Sequence, residues 1–199
     1  MKIVIASDNK KKLKEMNEIL SGLGYSCISK SDAGIYDEVE ETGTTFTENS
    51  ILKAKEIAKK AKTFAVADDS GLMVDALNGE PGVYSKRYAG ENATDEERIS
   101  FLLNKIKNVP DGKRTAKFIS AVSFYNEEGK GFTVTGECKG SLSFSPKGSG
   151  GFGYDPIFVP DGYNKTFSEL TSEEKAEISH RGKALRLFKE KLTDFLKTL

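Results

Sequence analysis

What this chain has little of narrows it quickly. Only two cysteines, Cys27 and Cys138, occur in 199 residues, too few for the dense disulfide framework of small secreted domains. No apolar run approaches the roughly 20 residues needed to cross a bilayer. The opening Met1-Lys2-Ile3-Val4-Ile5-Ala6 lacks the long apolar stretch of a signal peptide and reads as a strand. A reduced, cytoplasmic setting without membrane contact is the expectation. Net charge is absent too, because 30 basic residues balance 30 acidic ones. No overall field draws nucleic acid or an anionic membrane, so any attraction for phosphate has to be local. A single histidine, His180, argues against zinc sites of the histidine-rich kinds. There is no G-x-x-x-x-G-K-[ST], which excludes a P-loop, and no internal repeat or low-complexity linker.

What is present reads as mixed α and β. Apolar residues make up 37% of the chain, enough at this length to bury a sizeable core. Ile3-Val4-Ile5-Ala6 is a β-branched run, followed by the polar turn Ser7-Asp8-Asn9. Leu13, Met16, Ile19, Leu20 and Leu23 then fall at helical spacing. Residues 25–28 suggest a second strand, and the acidic stretch 37–41 a loop or an edge. Thr45-Phe46-Thr47-Glu48 and Thr94-Asp95-Glu96-Glu97 are capping boxes that open two helices. Between them, Phe64-Ala65-Val66-Ala67 is a buried-type strand expected to end abruptly at Asp68-Asp69-Ser70-Gly71. From Thr115 the period changes to two, and Asn126-Glu127-Glu128-Gly129 turns the chain into Phe132-Thr133-Val134-Thr135, a long β-hairpin. A last helix is expected from about Arg181 to Leu199. These elements point to an α+β or α/β fold, a single domain of two lobes over residues 1–199, whose elongated, mixed central sheet would be flanked by helices.

Several constellations carry candidate chemistry. Ser7-Asp8-Asn9-Lys10-Lys11-Lys12 leaves a strand and enters a helix, whose first N–H groups lack internal partners and suit phosphate oxygens. Lys12, about one turn on, can reach back to such an anion; the alternative is an ordinary cap beside solvated lysines. Adjacent Asp68 and Asp69 repel each other unless a cation, a proton or a helix terminus compensates. Mg²⁺ takes hard oxygen ligands of this kind, and a carboxylate beside it can accept a proton from water. Asp-Asp-Ser-Gly is equally good turn chemistry. Glu38, Glu40 and Glu41 can complete a metal site or form a solvated edge, and Lys53 is a phosphate contact or a surface lysine. Gly148-Ser149-Gly150-Gly151-Phe152-Gly153 contains a formal G-x-G-x-x-G, but Tyr154-Asp155-Pro156 follows and forbids an immediate helix. Those glycines suit close backbone approach to a ligand, with Phe152 or Tyr154 free to stack on a base. His180 alone reads as a capping or packing residue, and Arg181 as a donor to a carbonyl or phosphate.

Together and in this order the segments resemble the inosine triphosphate pyrophosphatase family, also called dITP/XTP pyrophosphatases. The resemblance rests on residues 7–12, Glu41-Thr42-Gly43, Phe46-Thr47-Glu48-Asn49 with Lys53-Ala54, and Ala67-Asp68-Asp69-Ser70-Gly71-Leu72. It continues through Pro81-Gly82-Val83-Tyr84-Ser85, Gly150-Gly151-Phe152-Gly153-Tyr154-Asp155-Pro156, Lys175 and Ser179-His180-Arg181. It implies a homodimer of two-lobed α/β subunits, with a nucleotide cleft between the lobes, that uses Mg²⁺ to split purine nucleoside triphosphates (ITP, dITP, XTP) into monophosphate and pyrophosphate. By the family pattern Asp69 is the proton acceptor and a Mg²⁺ ligand, with Glu41 as a further metal contact; adjacent Asp68 is expected as a third metal ligand. Ser7, Asp8, Asn9, Lys10, Lys11, Lys12, Lys53 and Ser70 hold the triphosphate. Phe152, Gly153, Tyr154, Asp155, Lys175, His180 and Arg181 form the base pocket. Ser7 and Asp8 stand where Thr and Gly are common, and Lys86 where alanine is usual. Maf-like pyrophosphatases share the architecture, but the base-pocket residues argue against them. Retention of Glu41, Asp68 and Asp69 argues against a non-catalytic nucleotide-binding module, and zero net charge against a nucleic-acid binder.

Overall fold

A computed structural model describes residues 2–22 and 24–197, without the side chains of Glu18 and Ile19. Met1, Leu23 and Leu199, which the sequence placed in the first strand and in two helical stripes, lie outside the described residues, as does the Ile19 side chain. In chain order the main elements are β1 (Lys2–Ile5), α1 (Lys10–Ser21), β2 (Ser26–Ser29), α2 (Phe46–Ala61), β3 (Phe64–Val74) and α3 (Asp95–Lys105). They are followed by β4 (Thr115–Tyr125), β5 (Gly131–Leu142), β6 (Phe158–Pro160), α4 (Ser172–Ile178) and α5 (His180–Leu196). The strands form one six-stranded sheet in the order β2-β1-β3-β4-β5-β6. β1 runs parallel to β2 and to β3, with Ile5 opposite Ser29 and Val66, and β5 runs antiparallel to β6. Helices flank this mixed sheet, as expected of the α/β class.

Both expected capping boxes are formed, at Thr45/Glu48 and Thr94/Glu97. Each uses a hydroxyl and a carboxylate to satisfy N–H groups that a helix start leaves open. Two expectations need correction. β3 does not stop at Asp68; it continues through Asp68, Asp69, Ser70 and Gly71 to Val74. β5 likewise extends past the expected Thr135 to run up to Leu142. Charged residues inside a strand looked like a terminus because buried carboxylates are costly when unpaired; here they are paired, as described below.

The chain divides into two compact units, each with its own core. The first holds the chain up to Asp69, Ser120–Thr135 and the chain from Ala184 on. Its sheet is covered on both faces, as parallel strands require. Ile3, Ile5 and Val66 pack with Met16 and Leu20 of α1 and with Phe188 and Leu192 of α5. The alternate residues Val4 and Ala65 pack with Ile57 and Ala58 of α2. The second unit holds Ser70–Ile119 and Gly136–Lys183. Its core joins Leu72 and Val74 of β3 to Leu102 of α3, Ile106 just after that helix, Phe118 of β4 and Phe158 of β6. Arg114 is fully buried there and donates to the carbonyls of Leu142 (2.9 Å), Ile106 (3.0 Å), Ser143 (3.2 Å) and Val109 (3.3 Å). It thereby closes the carbonyl end of α3, where positive charge is favoured.

Candidate active site

In the first unit, a loop and two helices aim charged side chains at Asp68 and Asp69 of β3. The loop after β1 begins with an N-cap: Asn9 Oδ1 accepts from the backbone N–H of Lys11 (3.0 Å) and Lys12 (3.3 Å), and Asn9 N–H donates to Ser7 Oγ (3.1 Å). Those helix-start donors, expected to meet phosphate, are thus engaged by the cap, while Lys10 and Lys11 extend exposed side chains. Asp8 Oδ1 accepts from Ser31 N–H at 3.2 Å, and its other oxygen lies 3.5 Å from the buried Lys30 ammonium. Lys30 also reaches Glu38 Oε1 at 3.0 Å and the Asp37 carbonyl at 3.3 Å. Asp8 therefore fastens residues 30–38 to the loop, and its charge is directed at protein donors.

The two aspartates part company. Side chains alternate across a strand. Asp68 therefore shares the face of Val66, covered by α1, and Asp69 that of Ala65, covered by α2. Asp68 meets α1 through Lys12, whose Nζ is 3.1 Å from Oδ2 and 3.1 Å from the Asp68 carbonyl. Ser120 of β4 donates its hydroxyl to the other oxygen at 2.7 Å. With protein donors on both oxygens and a side chain only 2% exposed, Asp68 is a holder of Lys12. Asp69 meets α2 through Lys53. The Lys53 ammonium stands 2.8 Å from Asp69 Oδ1 and 2.8 Å from Glu41 Oε1, gathering two carboxylates around one cation. Burial raises the Asp69 carboxyl above its ordinary range; Lys53 pulls the other way, while the like charge of Glu41 adds to the rise. Burial also opposes the Lys53 charge, but Asp69 and Glu41 outweigh it and hold the ammonium protonated. One ammonium cannot neutralise two carboxylates, so Asp69, the more buried, keeps an appetite for a proton or a further cation.

The second unit gathers a different set. In the loop 148–155, Gly150 N–H donates to the Ser168 carbonyl (3.1 Å), and Ser168 Oγ returns a bond to the Gly150 carbonyl (2.6 Å). Asp155 Oδ2 accepts from Phe152 N–H (2.7 Å) and from Lys175 Nζ (2.6 Å). Asp95, at the first turn of α3, accepts from Gly153 N–H at 2.7 Å. Gly151 has φ +75° and lies so close to Asp155 that a Cβ there would stand 2.2 Å from Oδ2, so no other residue fits. Tyr154 is not free to stack: it is buried and donates its hydroxyl to the Ser85 carbonyl at 3.0 Å, and burial pushes its phenol well up. Phe152 is the accessible ring, with Lys175 Nζ 5.0 Å and Arg181 Cζ 5.4 Å from its centroid. Arg181, at the start of α5, donates to Ser70 Oγ at 3.1 Å. Ser70, expected with the phosphate residues, is thus drawn to the aromatic set. His180 stacks on Phe118, with centroids 4.6 Å apart and rings inclined by 11°.

Sequence reasoning missed Lys30, Asn49, Asp95, Ser120 and Ser168. For Ser120 a signal existed: it shares the strand face of Phe118, Val122 and Phe124, and a hydroxyl on an apolar face needs a partner. Asp95 was hidden inside a capping box, where a carboxylate is ordinary.

Known proteins match this chain along nearly its whole length. The Ham1 family model matches residues 3–191. The dITP/XTP pyrophosphatase of Exiguobacterium sibiricum is 46% identical over 196 residues, 98% of this chain and 99% of its own. That of Escherichia coli is 46% identical over 193 residues, 96% and 98% of the two chains. Among solved structures, a HAM1 protein from Coxiella burnetii superposes with a TM-score of 0.91 at 43% identity, covering 98% of this chain and 99% of that one.

Proposed function

The chain belongs to the Ham1 family, and on that footing we propose that it hydrolyses purine nucleoside triphosphates with non-standard bases (ITP, dITP and XTP) to monophosphate and pyrophosphate. Relatives that match it over nearly their full length carry the name dITP/XTP pyrophosphatase. The observation that carries the reaction is the pair Glu41 and Asp69 gathered on the Lys53 ammonium, each at 2.8 Å. Two converging hard-oxygen carboxylates suit Mg²⁺, which takes one or two of them together with water and substrate phosphates. Glu41 and Asp69 would hold the ion; Asp68, with both oxygens on protein donors, would not. Bound there, Mg²⁺ supplies charge to phosphate oxygens.

In this reading water attacks the α-phosphorus. A P–O bond forms to the water oxygen, and the bond to the bridging α-β oxygen breaks, releasing pyrophosphate. Asp69 accepts the proton that water sheds, a task suited to a carboxyl raised by burial. Lys12 and Lys53 neutralise charge on the phosphate oxygens. In the second unit Phe152 offers a face for the base, while Lys175 and Arg181, donors only, match a carbonyl at position 6. Adenine's amino group, itself a donor at that position, would offer them no acceptor. Asp155, Asp95 and Ser168 hold the loop that presents Phe152. The family resemblance further supports a homodimer acting in the cytoplasm. No helix among the described residues is long and apolar enough to cross a membrane.

Ion-exchange chromatography of an ITP digest with Mg²⁺ tests the reaction. IMP and pyrophosphate should appear from the first time point; IDP and orthophosphate as first products would overturn it.

A further inference from the structure

Glu41 lies outside regular structure, between β2 and α2, yet its carboxylate has to meet Lys53 reproducibly. Something must fix the strap that carries it. The first turn of α2 does so with two side chains. Glu48 accepts from the N–H of Thr44 (2.7 Å), the Thr44 hydroxyl (2.9 Å) and the N–H of Thr45 (3.1 Å). Asn49 Oδ1 accepts from the N–H of Gly43 at 2.8 Å. Only Thr42 separates Gly43 from Glu41.

Asn49 is an odd residue to find there. It is fully buried, and its Nδ2 has no hydrogen-bond partner. A buried donor left unmade is destabilising, a cost that an apolar residue of similar size would avoid. The amide is therefore explained by its oxygen. An aspartate would supply the same acceptor but would add a negative charge to a strap that already ends in Glu41. Gly43 completes the fit, since a Cβ on it would stand 2.6 Å from Asn49 Oδ1 and 2.6 Å from Glu48 Cβ. Asn49 and Lys53 are four residues apart, on one face of α2. One helix face thus supplies both the anchor of the strap and the ammonium that Glu41 meets.

We propose that Asn49 is a positioning residue: through Gly43 it sets the Glu41 carboxylate against Lys53 and thereby shapes the divalent-cation site. The inference rests on the reading of Glu41 as a metal contact, so its test treats the two separately. The readout is Mn²⁺ binding to the substrate-free protein, measured from the EPR signal of the free ion. Asn49→Ala and Gly43→Ala should each weaken Mn²⁺ binding about tenfold, the lower end expected when a residue that orients a metal ligand is lost. Each should also raise the Mg²⁺ concentration for half-maximal turnover, with kcat recovering at high Mg²⁺. Ser50→Ala is the control: it removes a buried hydroxyl of the same helix that bonds Ser123 at 2.7 Å without touching the strap, and should leave Mn²⁺ binding unchanged. If Asn49→Ala and Gly43→Ala bind Mn²⁺ as tightly as Ser50→Ala does, the inference is overturned. Should Asn49→Ala not fold, Gly43→Ala decides alone. Glu41→Gln separates the premise: normal Mn²⁺ binding there removes the metal reading and this inference with it. Weak binding there beside normal binding in Asn49→Ala removes only the inference.

Discussion

The two units of this chain handle charge in opposite ways. In the first, carboxylates and ammonium groups face one another directly: Lys12 on Asp68, and Lys53 between Glu41 and Asp69. In the second, two cations frame the aromatic ring of Phe152, and hydrogen bonds from Asp155, Asp95 and Ser168 hold a glycine-rich loop. A polyanion is attracted by charge at a range of orientations, because Coulomb attraction varies slowly with angle. A base is told from its relatives only by donors at fixed places, because a missed hydrogen bond in a dry site is what discriminates. The first arrangement suits the part that all nucleoside triphosphates share, the second the part in which they differ. Substitutions in the first unit should therefore lower turnover of every nucleotide alike, and those in the second should change the choice between them.

The largest effect is expected at Asp69. Asp69→Asn removes the proposed proton acceptor and cation ligand, so kcat should fall by about a hundredfold or more for ITP and ATP equally. Stability should not fall with it. Burial raises the folded-state carboxyl above its unfolded value, so its ionised form costs stability as pH rises through that range. A neutral amide removes that cost, and the Tm near pH 7 should hold or rise. Kinetics and a thermal melt on the same preparation check both parts, and near-normal turnover would refute the assignment.

Arg181→Ala comes next and sharpens the contrast most. Losing a charge-assisted hydrogen bond to the 6-carbonyl, worth about 1.5–3 kcal/mol, should lower kcat/KM for ITP about ten- to a hundredfold. ATP, which never paired with that donor, should lose less, and the ITP-to-ATP ratio should collapse. Lys12→Ala should weaken both nucleotides to a similar extent. Equal losses of ITP and ATP activity in Arg181→Ala would break the division between the units.

The smallest effect is expected at Ser120. Ser120→Ala takes the hydroxyl from Asp68 Oδ1 and leaves a buried carboxylate oxygen short of a donor. That should cost about 1–3 kcal/mol of stability and several degrees of Tm. Lys12, held by the same carboxylate, should lose some of its fixed position. The kcat/KM for ITP and ATP should fall together by less than about tenfold. A changed ITP-to-ATP ratio in this variant would show that the first unit also reads the base.

Much of this was legible in the sequence. The capping boxes at Thr45 and Thr94, the strand-loop-helix opening and the hairpin around Asn126 all formed. Each depends on residues within a few positions of one another. Short elements escaped notice, among them β6 with three residues and α4 with seven, because neither is long enough to show a period. The candidate residues also emerged in order along the chain, but their partners did not. Nothing local says that Asn49 reaches Gly43, that Asp95 holds Gly153, or that Tyr154 is turned inward to Ser85.

The pair Asp68-Asp69 marks the boundary between the two kinds of information. The sequence by itself determined that two adjacent carboxylates need compensation, since like charges cannot share a site without a cation or a proton. It left open whether a turn or a strand holds them and which one is satisfied by protein donors. The tertiary structure decided both. Once β3 continues through them, the pleat sends neighbouring side chains to opposite faces. α1 covers one face and brings Lys12 to Asp68, while α2 covers the other and brings Lys53 to Asp69. Ser120 then fills the remaining oxygen of Asp68, while Asp69 is left sharing one ammonium with Glu41. Which carboxylate is satisfied by protein donors and which is left sharing one cation depends on the helix that packs above it, a fact no spacing along the chain can carry.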